Sequence, residues 1–385
     1  MPKILIIRFS SIGDIVLTTP VIRCLKLQLQ AEVHFLTKVA YHSILIANPY
    51  LAKVYTIQKK VGEVLPDLQR EGYDYVIDLH KNLRSTQVKF ALSARSFSFE
   101  KLNWEKWLLV NFKIDKLPNI HIVDRYLKTV ASLGIVNDGA GLDYFIPEKT
   151  DIGGISEIPP IYHSKTVKKI IFAIGAAHQT KRLPMEKIVE ICAVILNRES
   201  LGDTSYLIAL IGGPAEEEEG IQIIEKLEQS RKLHPSEGVI NLCGKISLNQ
   251  SAYLIQQADL VITHDTGMMH IAAALKKKII SIWGSTVPEF GMYPYYPVTD
   301  EKLERSGKLH PSKELPSEGV SNSVRHVIIE NKDLQCRPCS KIGHAQCPKG
   351  HFNCMQQIDP QYVAETVKRL TKDDFYKDRD VKRST

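Results

Sequence analysis

A short polar turn in the second half of the chain has the residue types that bind a phosphate. The turn HDTG at 264–267 follows an apolar β-branched run and precedes helix-forming residues at 268–275, which predicts a strand, a tight turn and a helix. Asp265 and Thr266 can cap this helix, and Gly267 lets a ligand approach the backbone. The first amides of a helix and its dipole favour an anion. A well-capped turn without a ligand has the same residues, so the turn alone leaves both interpretations open.

An acidic residue, Asp14, ends a small-residue turn near the start of the chain. The turn follows the apolar segment Lys3–Arg8 and precedes an amphipathic stretch at 15–29, which together with a strand at 32–36 predicts a βαβ unit. Open α/β sheets bind ligands at this edge. The turn lacks the GxGxxG pattern, and a carboxylate would repel a pyrophosphate. An acid favoured at a helix start is the alternative.

Two other predicted strands end in basic residues. His80, Lys81 and Arg84 follow the strand at 73–79, where they suit an anionic partner, although a solvated loop would look the same. After the strand at 169–174, the small residues from Gly175 onwards let a ligand lie against the backbone, and Lys181 or Arg182 can reach a phosphate.

An acidic run, Glu216–Glu219, follows the next strand and its Gly-Gly-Pro turn. An acid in this position can accept hydrogen bonds from ribose hydroxyls. A solvated helix start is the more common use of such a run.

Four of the seven cysteines, Cys336, Cys339, Cys347 and Cys354, lie within nineteen residues. Four thiolates can hold a tetrahedral structural zinc, and cysteines without a secretion signal favour metal over disulfide. The spacing is not a clean pair of CxxC motifs. Unpaired thiols in a compact loop and labile disulfides are the alternatives.

Residues 101–116 combine aromatic and lysine side chains at helical spacing. Trp104 and Trp107 are core residues in one interpretation. In the other, the mixture suits the interface of a membrane.

The length and composition of the chain indicate what kind of protein positions these residues. A chain of 385 residues with 44% hydrophobic content can form two domains with sizeable cores. A net charge of +7 is too small to imply nucleic acid but fits an anionic ligand or a membrane surface. Neither a signal peptide nor an apolar run of about 18 residues is evident. The Pro/Gly/Ser-rich residues before 168 predict a linker.

The predicted organisation is therefore an N-terminal Rossmann-like domain at 1–150, a linker at 151–167, a C-terminal Rossmann-like domain at 168–357, and a helix with a charged tail at 358–385. Two Pro/Ser-rich segments that share the letters KLHPS, at 232–239 and 308–320, are interpreted as surface insertions without chemistry.

The ordered motifs resemble one family. The segments RFSSIGDIVLTTPV, DLHKNLRS, GAAHQTKRLP, LIGGPAE, HDTGMMHIAAAL with WGST, and CRPC…CPKGHFNCM are similar to those of glycosyltransferase family 9, the ADP-heptose:lipopolysaccharide heptosyltransferases. The resemblance covers residues 1 to about 370, apart from the two insertions. It implies an α/β, GT-B fold, in which two doubly wound domains face each other across a cleft.

The resemblance also implies roles for individual residues. Asp14 matches the general base, and Lys181 the basic residue that contacts the donor phosphates. The donor site would comprise Gly175, Ala176, Lys181, Glu216, Asp265, Thr266, Gly267 and His270. The acceptor site would comprise Ser10, Ser11, Gly13, His80, Lys81 and Arg84. Ala176 and Ala177 depart from members with hydroxyl residues there, which removes side-chain bonds to phosphate.

The implied reaction transfers heptose from ADP-heptose to a lipid-linked core oligosaccharide, with inversion and without a catalytic metal. Shielding of Asp14 from water in the cleft is expected to raise its basicity. The implied location is the cytoplasm, peripherally at the inner membrane, and no nucleic-acid partner is expected. The alternatives are another GT-B sugar transferase or epimerase, and a nucleotide-sugar-binding protein without turnover.

Overall fold

The computed structural model describes residues 1–197, 204–230, 238–297, 303–306 and 325–372, the segment 303–306 by its backbone only. The KLHPS segments, apart from residues 238 and 239, and the charged tail after residue 372 lie outside the described residues. All the functional residues predicted from the sequence are described.

The N-terminal half forms a five-stranded parallel sheet in the order β3-β2-β1-β4-β5. Its strands are β1 (Lys3–Ile7), β2 (Glu32–Lys38), β3 (Lys53–Ile57), β4 (Tyr75–Asp78) and β5 (Arg95–Ser98). The central strand β1 is almost entirely buried, as its unbroken apolar run requires when helices cover both faces of a parallel sheet. This is the doubly wound strand order in which ligands bind between the first and fourth strands.

The helices of this half are α1 (Ile12–Val16), α2 (Thr19–Leu29), α3 (Leu65–Glu71), α4 (Leu83–Leu92), α5 (Asn103–Phe112) and α6 (Ile122–Lys128). The single helix predicted from residue 15 to 29 is wrong, because the chain turns between α1 and α2. Pro20 lies at the start of α2, where its missing N–H is tolerated, whereas inside one continuous helix it would remove a hydrogen bond.

The C-terminal half forms a seven-stranded parallel sheet in the order β11-β12-β10-β9-β6-β7-β8. Its strands are β6 (Val167–Ala173), β7 (Ser205–Ile211), β8 (Val239–Asn241), β9 (Leu260–His264), β10 (Ile279–Trp283), β11 (Leu303–Ser306) and β12 (His326–Glu330). The helices are α7 (Met185–Leu196), α8 (Glu217–Gln229), α9 (Leu248–Gln257), α10 (Gly267–Ala274), α11 (Asn353–Gln356) and α12 (Pro360–Thr371). Its first five strands repeat the order of the N-terminal sheet, which confirms the predicted pair of doubly wound units.

The predicted linker contributes to the core. Ile152 and Tyr162 are 5% and 1% exposed, and Tyr162 lies in a short 3-10 helix, Pro160–His163. Both belong to a hydrophobic cluster that also contains Ile4 of β1 and Val261 of β9. The segment therefore contributes buried side chains to the core, which its Pro/Gly/Ser-rich composition did not predict.

Helix α5 is exposed on its aromatic face. Trp104 is 64% and Trp107 44% exposed, and their rings stack with centroids 4.9 Å apart. Leu109 of the same helix is buried. The interpretation of Trp104 and Trp107 as core residues is therefore wrong.

The two halves meet where α1 crosses α10. A methyl group built on Gly13 would lie 2.5 Å from Cδ2 of His270, and one on Gly267 would lie 2.7 Å from Cβ of Ile12. Both distances are shorter than a carbon–carbon contact permits. Glycine at these two positions thus allows helices from opposite sheets to approach within backbone contact.

We expect Gly13→Ala and Gly267→Ala each to destabilise the protein by about 1–3 kcal/mol, because the added methyl group overpacks this contact. The free energy of unfolding from urea titration measures the effect. Gly62→Ala is the matched control, since nothing lies within 4 Å of a methyl group there. Equal stability of all three variants would show that the halves do not depend on this approach.

Candidate active site

The strand ends of both sheets open into one cavity of about 910 Å³. The turns after β1 and β4 line it from the N-terminal sheet, and those after β6, β7 and β9 line it from the C-terminal sheet. In both sheets these include the turns on the two sides of the topological switch point, which is the ligand-binding position of doubly wound folds.

Asp14 lies in the first turn of α1, with its side chain 21% exposed. Its carboxylate lies 2.6 Å from Nη2 of Arg8 and accepts hydrogen bonds from the N–H and the hydroxyl of Ser11, at 3.1 and 2.8 Å. Burial on its own raises the pKa of Asp14, but Arg8 and Ser11 together hold that pKa below its usual value. Loss of water thus acts in the expected direction, but the net pKa of Asp14 is lowered because Arg8 and Ser11 outweigh that loss.

Arg8, which the sequence analysis did not single out, is 8% exposed. Its Nε donates to the carbonyl of Ser10 at 2.8 Å, and its Nη1 donates to Tyr126 at 3.1 Å and to the carbonyl of Leu79. These bonds hold the guanidinium beneath Asp14. An arginine at the end of a core strand, six residues before an acid, was the available signal.

The residues predicted for the acceptor divide into two groups. Ser11, Gly13 and His80 line the cavity. Burial lowers the pKa of His80 to about 4, with Arg8 and Lys101 adding to the effect, so this imidazole is neutral at pH 7. Its Nδ1 is buried and has no hydrogen-bond partner in the described structure.

Ser10, Lys81 and Arg84 do not line this cavity. The carbonyl of Ser10 is taken by Arg8. Asp78 accepts the N–H groups of His80 and Lys81 at 3.0 and 2.7 Å, which turns the chain sharply into α4. Lys81 lines a smaller neighbouring pocket, and Arg84 is exposed on the first turn of α4.

Lys181 and Asp265 form an ion pair on the opposite wall, with 2.5 Å between Nζ and Oδ2. Asp265 also accepts a hydrogen bond from Thr286 at 2.8 Å. Thr266 occupies the N-cap position of α10 but makes no side-chain cap, so the prediction that Asp265 and Thr266 cap this helix is wrong. Asp265 is held by Lys181 instead, and Thr266 and Gly267 at the start of this helix line the cavity.

Glu216 lies in the turn after β7, next to Gly175 in the turn after β6. Its carboxylate accepts the N–H of Gly213 at 2.8 Å and lies 3.2 Å from Nη1 of Arg182. A methyl group on Gly175 would lie 2.9 Å from Oε2 of Glu216, so a side chain there would displace this carboxylate. Gly175, Ala176 and Glu216 all line the cavity.

His270 lies between the two walls. It is 2% exposed, burial lowers its pKa to about 4, and its Nδ1 has no partner in the described structure. A neutral imidazole packed against Gly13 and next to Gly267 can hydrogen-bond a ligand without adding charge.

The four clustered cysteines do not form a metal cage in this structure. Tetrahedral zinc requires sulfurs about 3.8 Å apart, given Zn–S bonds near 2.3 Å. Among the described residues, no three ligand atoms from these cysteines, His344 and His351 lie within 4.8 Å of one another. Sγ of Cys336 does lie 3.8 Å from Nε2 of His351. A zinc at Cys336, Cys339, Cys347 and Cys354 stays a prediction that requires these side chains to rotate.

The described residues contain one preformed group of possible ligands, Glu32, His34 and Glu71. Lys3 contacts both carboxylates, at 3.3 and 2.8 Å, and Lys53 contacts Glu71 at 3.0 Å. The two lysines already balance the two negative charges. This network sits at the amino end of the strands, away from the cavity, and holds that end of the sheet together.

The cysteine-rich segment instead joins the two walls of the cavity. Nζ of Lys113, just after α5, donates to the carbonyl of Pro338 at 2.6 Å. At the other wall, the N–H of His344 donates to Thr180 at 2.8 Å, next to Lys181. Lys341 and Ile342, between these contacts, line the cavity.

Comparison with known proteins agrees with this geometry. The model of glycosyltransferase family 9 (heptosyltransferase) matches residues 62–318. Lipopolysaccharide heptosyltransferase 1 of Campylobacter coli is 26% identical over 304 residues, which cover 74% of this chain and 84% of that protein. The lipopolysaccharide core heptosyltransferase OpsX of Haemophilus influenzae is 21% identical over 380 residues, covering 96% and 97%.

Solved structures show the same fold. A glycosyl transferase family 9 protein from Veillonella parvula superposes with a TM-score of 0.67 at 20% identity, covering 96% of this chain and 97% of that one. ADP-heptose lipopolysaccharide heptosyltransferase II of Escherichia coli gives 0.62 at 19% identity, covering 96% and 98%. Two Rossmann-like domains facing a cleft are the predicted GT-B arrangement.

The family match favours sugar transfer over the epimerase and the non-catalytic binder that were considered from the sequence. With both switch points opening into one cavity, the chain belongs to glycosyltransferase family 9, the heptosyltransferase family, and is a glycosyltransferase.

Proposed function

We propose that this enzyme transfers heptose from ADP-heptose to a lipopolysaccharide core acceptor, with inversion at the anomeric carbon. The observation that carries the proposal is that Asp14 and the pair Lys181–Asp265 line the same cavity from opposite sheets. Relatives named as lipopolysaccharide heptosyltransferases, and a structural neighbour solved with ADP, support the choice of donor and acceptor class.

The donor binds the C-terminal wall. The uncapped start of α10 at Gly267 and the ammonium of Lys181 receive the diphosphate, where they stabilise the charge that develops as the bond to the sugar breaks. Gly175 and Ala176 let the nucleotide lie against the backbone. Glu216 accepts from the ribose with the lone pairs that Arg182 and Gly213 leave free.

We expect Lys181→Ala to weaken binding of ADP-heptose by about 1.5–3 kcal/mol, because one charge-assisted hydrogen bond to phosphate is lost. A thermal-shift titration with a panel of nucleotide sugars measures this, since a bound donor raises the melting temperature. Lys187→Ala is the control, because that lysine pairs with Glu190 on α7 and does not line the cavity.

The proposal for the donor fails if the wild-type protein is stabilised equally by UDP- and ADP-sugars, or if Lys181→Ala binds ADP-heptose as well as the wild type does.

Asp14 removes the proton from the acceptor hydroxyl. The Arg8 pair keeps it ionised, so a base is present at all physiological pH values, although a weak one. Direct displacement by the activated hydroxyl inverts the anomeric carbon. Positioning of the hydroxyl in line with the departing diphosphate then supplies much of the acceleration.

We expect Asp14→Asn to lower kcat by about 10²–10⁴, because the general base is lost while its shape is kept. Affinity for ADP-heptose, measured by thermal shift, should stay near normal. Because the pKa of Asp14 is lowered, the wild-type rate should show no loss from this group as pH falls from 8 to about 5. If Asp14→Asn keeps most of the wild-type kcat, another residue is the general base, and His80 is the next candidate.

We further propose that α5 docks this enzyme on the cytoplasmic leaflet that carries the acceptor. The stacked, exposed rings of Trp104 and Trp107 belong to the side chains that favour a lipid interface, and Lys101 lies just before the helix. None of the described helices has the length and hydrophobicity to cross a membrane.

Replacement of Trp104 and Trp107 by Ser should reduce co-sedimentation with phosphatidylglycerol vesicles by about tenfold or more, because apolar area no longer enters the interface. Val136→Ser, at a residue 67% exposed elsewhere, is the control. Undiminished vesicle binding by the folded double variant would contradict docking through α5.

A further inference from the structure

Three lysines face the cavity without an acidic partner. Lys101, Lys106 and Lys341 all line it, and no carboxylate lies within ion-pair distance of any of them in the described part of the chain. The three acids of the cavity are each taken: Asp14 by Arg8, Asp265 by Lys181, and Glu216 by Arg182. The cavity therefore carries uncompensated positive charge.

Lys106 is the most constrained of the three. It projects from α5 toward the ring of Phe290, with Nζ 5.7 Å from the ring centroid. Burial, together with the charges of Arg125, Lys341 and Arg8, lowers the pKa of Lys106 to about 8, although Asp14 acts in the opposite direction. An ammonium kept in such a place without an anion costs free energy, which a bound anion would offset.

Lys341 reaches the cavity from the far end of the chain. The segment that carries it is anchored on both sides, by Lys113 at Pro338 and by Thr180 at His344. Buried Arg337 fixes its base by donating to the carbonyls of Asn331 and Thr286 at 2.6 and 2.9 Å. Its position is thus set by the fold, although its side chain is exposed.

Two of the three lysines lie on the wall of the cavity that carries Asp14. Lys101 and Lys106 belong to the N-terminal half, just before α5 and within it, and the charge of Asp14 raises the pKa of Lys106. The charges of Arg8 and Lys341 lower the pKa of both lysines. An anion held by these lysines would therefore lie on the same side of the cavity as Asp14.

We propose that Lys101, Lys106 and Lys341 form an oxyanion-binding subsite that holds a carboxylate or phosphate of the acceptor next to the hydroxyl that attacks. The proposal rests on the proposed sugar transfer. It assigns acceptor recognition to both halves of the molecule, since Lys341 belongs to the cysteine-rich segment of the C-terminal half. A neutral oligosaccharide acceptor would leave these three charges unpaired and would be rejected.

The test measures acceptor KM at saturating ADP-heptose for the wild type, Lys106→Met, Lys341→Met and Lys341→Arg. The acceptor is heptose-free lipopolysaccharide, used intact, after phosphatase treatment, and after reduction of its carboxylates to alcohols. Lys349→Met is the matched control, because it removes an exposed lysine of the same segment that does not line the cavity.

We expect both Met variants to raise KM for the intact acceptor by about ten- to a hundredfold, with donor affinity unchanged. Lys341→Arg should restore most of the loss, and Lys349→Met should behave as the wild type. One of the two modified acceptors should raise KM of the wild type by a similar factor and abolish the difference between the wild type and the Met variants. That acceptor identifies the anion as phosphate or carboxylate.

Unchanged KM in Lys341→Met, which changes an exposed residue and keeps the fold, overturns the subsite. The subsite is also overturned if the Met variants raise KM by the same factor for the intact acceptor and for both modified acceptors. If no variant and no acceptor gives transfer, the proposed function has failed instead, and equilibrium binding of the same three glycolipids to wild type and Lys341→Met still decides the subsite.

Discussion

The contact between α1 and α10 is the constraint on which the rest of the site depends. Each helix starts at the carboxyl end of a strand next to a switch point, and each carries a glycine where it meets the other, Gly13 and Gly267. Without side chains there, the backbones approach closely enough to bring the turns that carry Asp14 and Asp265 into one cavity. His270 packs between the two helices. The separation of these two turns is thus set by the packing of α1 against α10.

Charge inside the cavity is arranged in pairs with one exception. Each of the three acids has its own cation, so the negative charge of each carboxylate is balanced in a partly buried place. Burial keeps His80 and His270 neutral, so they add hydrogen-bonding groups but no charge. The lysines on the acceptor side are the exception. A diphosphate and an anionic acceptor would both enter this space. An excess of positive charge in the cavity would attract both of them.

The cysteine-rich segment has a role in the structure that differs from the metal site its composition predicts. Four cysteines in nineteen residues predict a metal, yet their sulfurs do not converge in the structure. In the structure this segment links separate parts of the site. Lys113, just after α5, binds one end of it, and Thr180, next to Lys181, binds the other end. Arg337 donates to the carbonyl of Asn331 and so fixes the start of the segment. The same backbone then presents Lys341 to the cavity.

The sequence by itself determined the fold class, most of the strands, and the turns that carry Asp14, Lys181 and Asp265, because apolar runs and small-residue turns depend on local chemistry and on burial of a whole strand. It did not predict β5, β11 or β12. It did not determine the break at Pro20, the exposure of Trp104 and Trp107, or the partners of the acids. Arg8 lies six residues from Asp14, and Thr180 lies 164 residues from His344. Such contacts exist only once the chain has folded and the ends of its strands lie side by side. Capping of α10 was predicted wrongly for the same reason: Asp265 is a good cap in isolation, but a lysine from another strand end offers it a stronger, charged partner. Local pattern therefore specified which residues stand at the strand ends, and tertiary packing decided which of them meet.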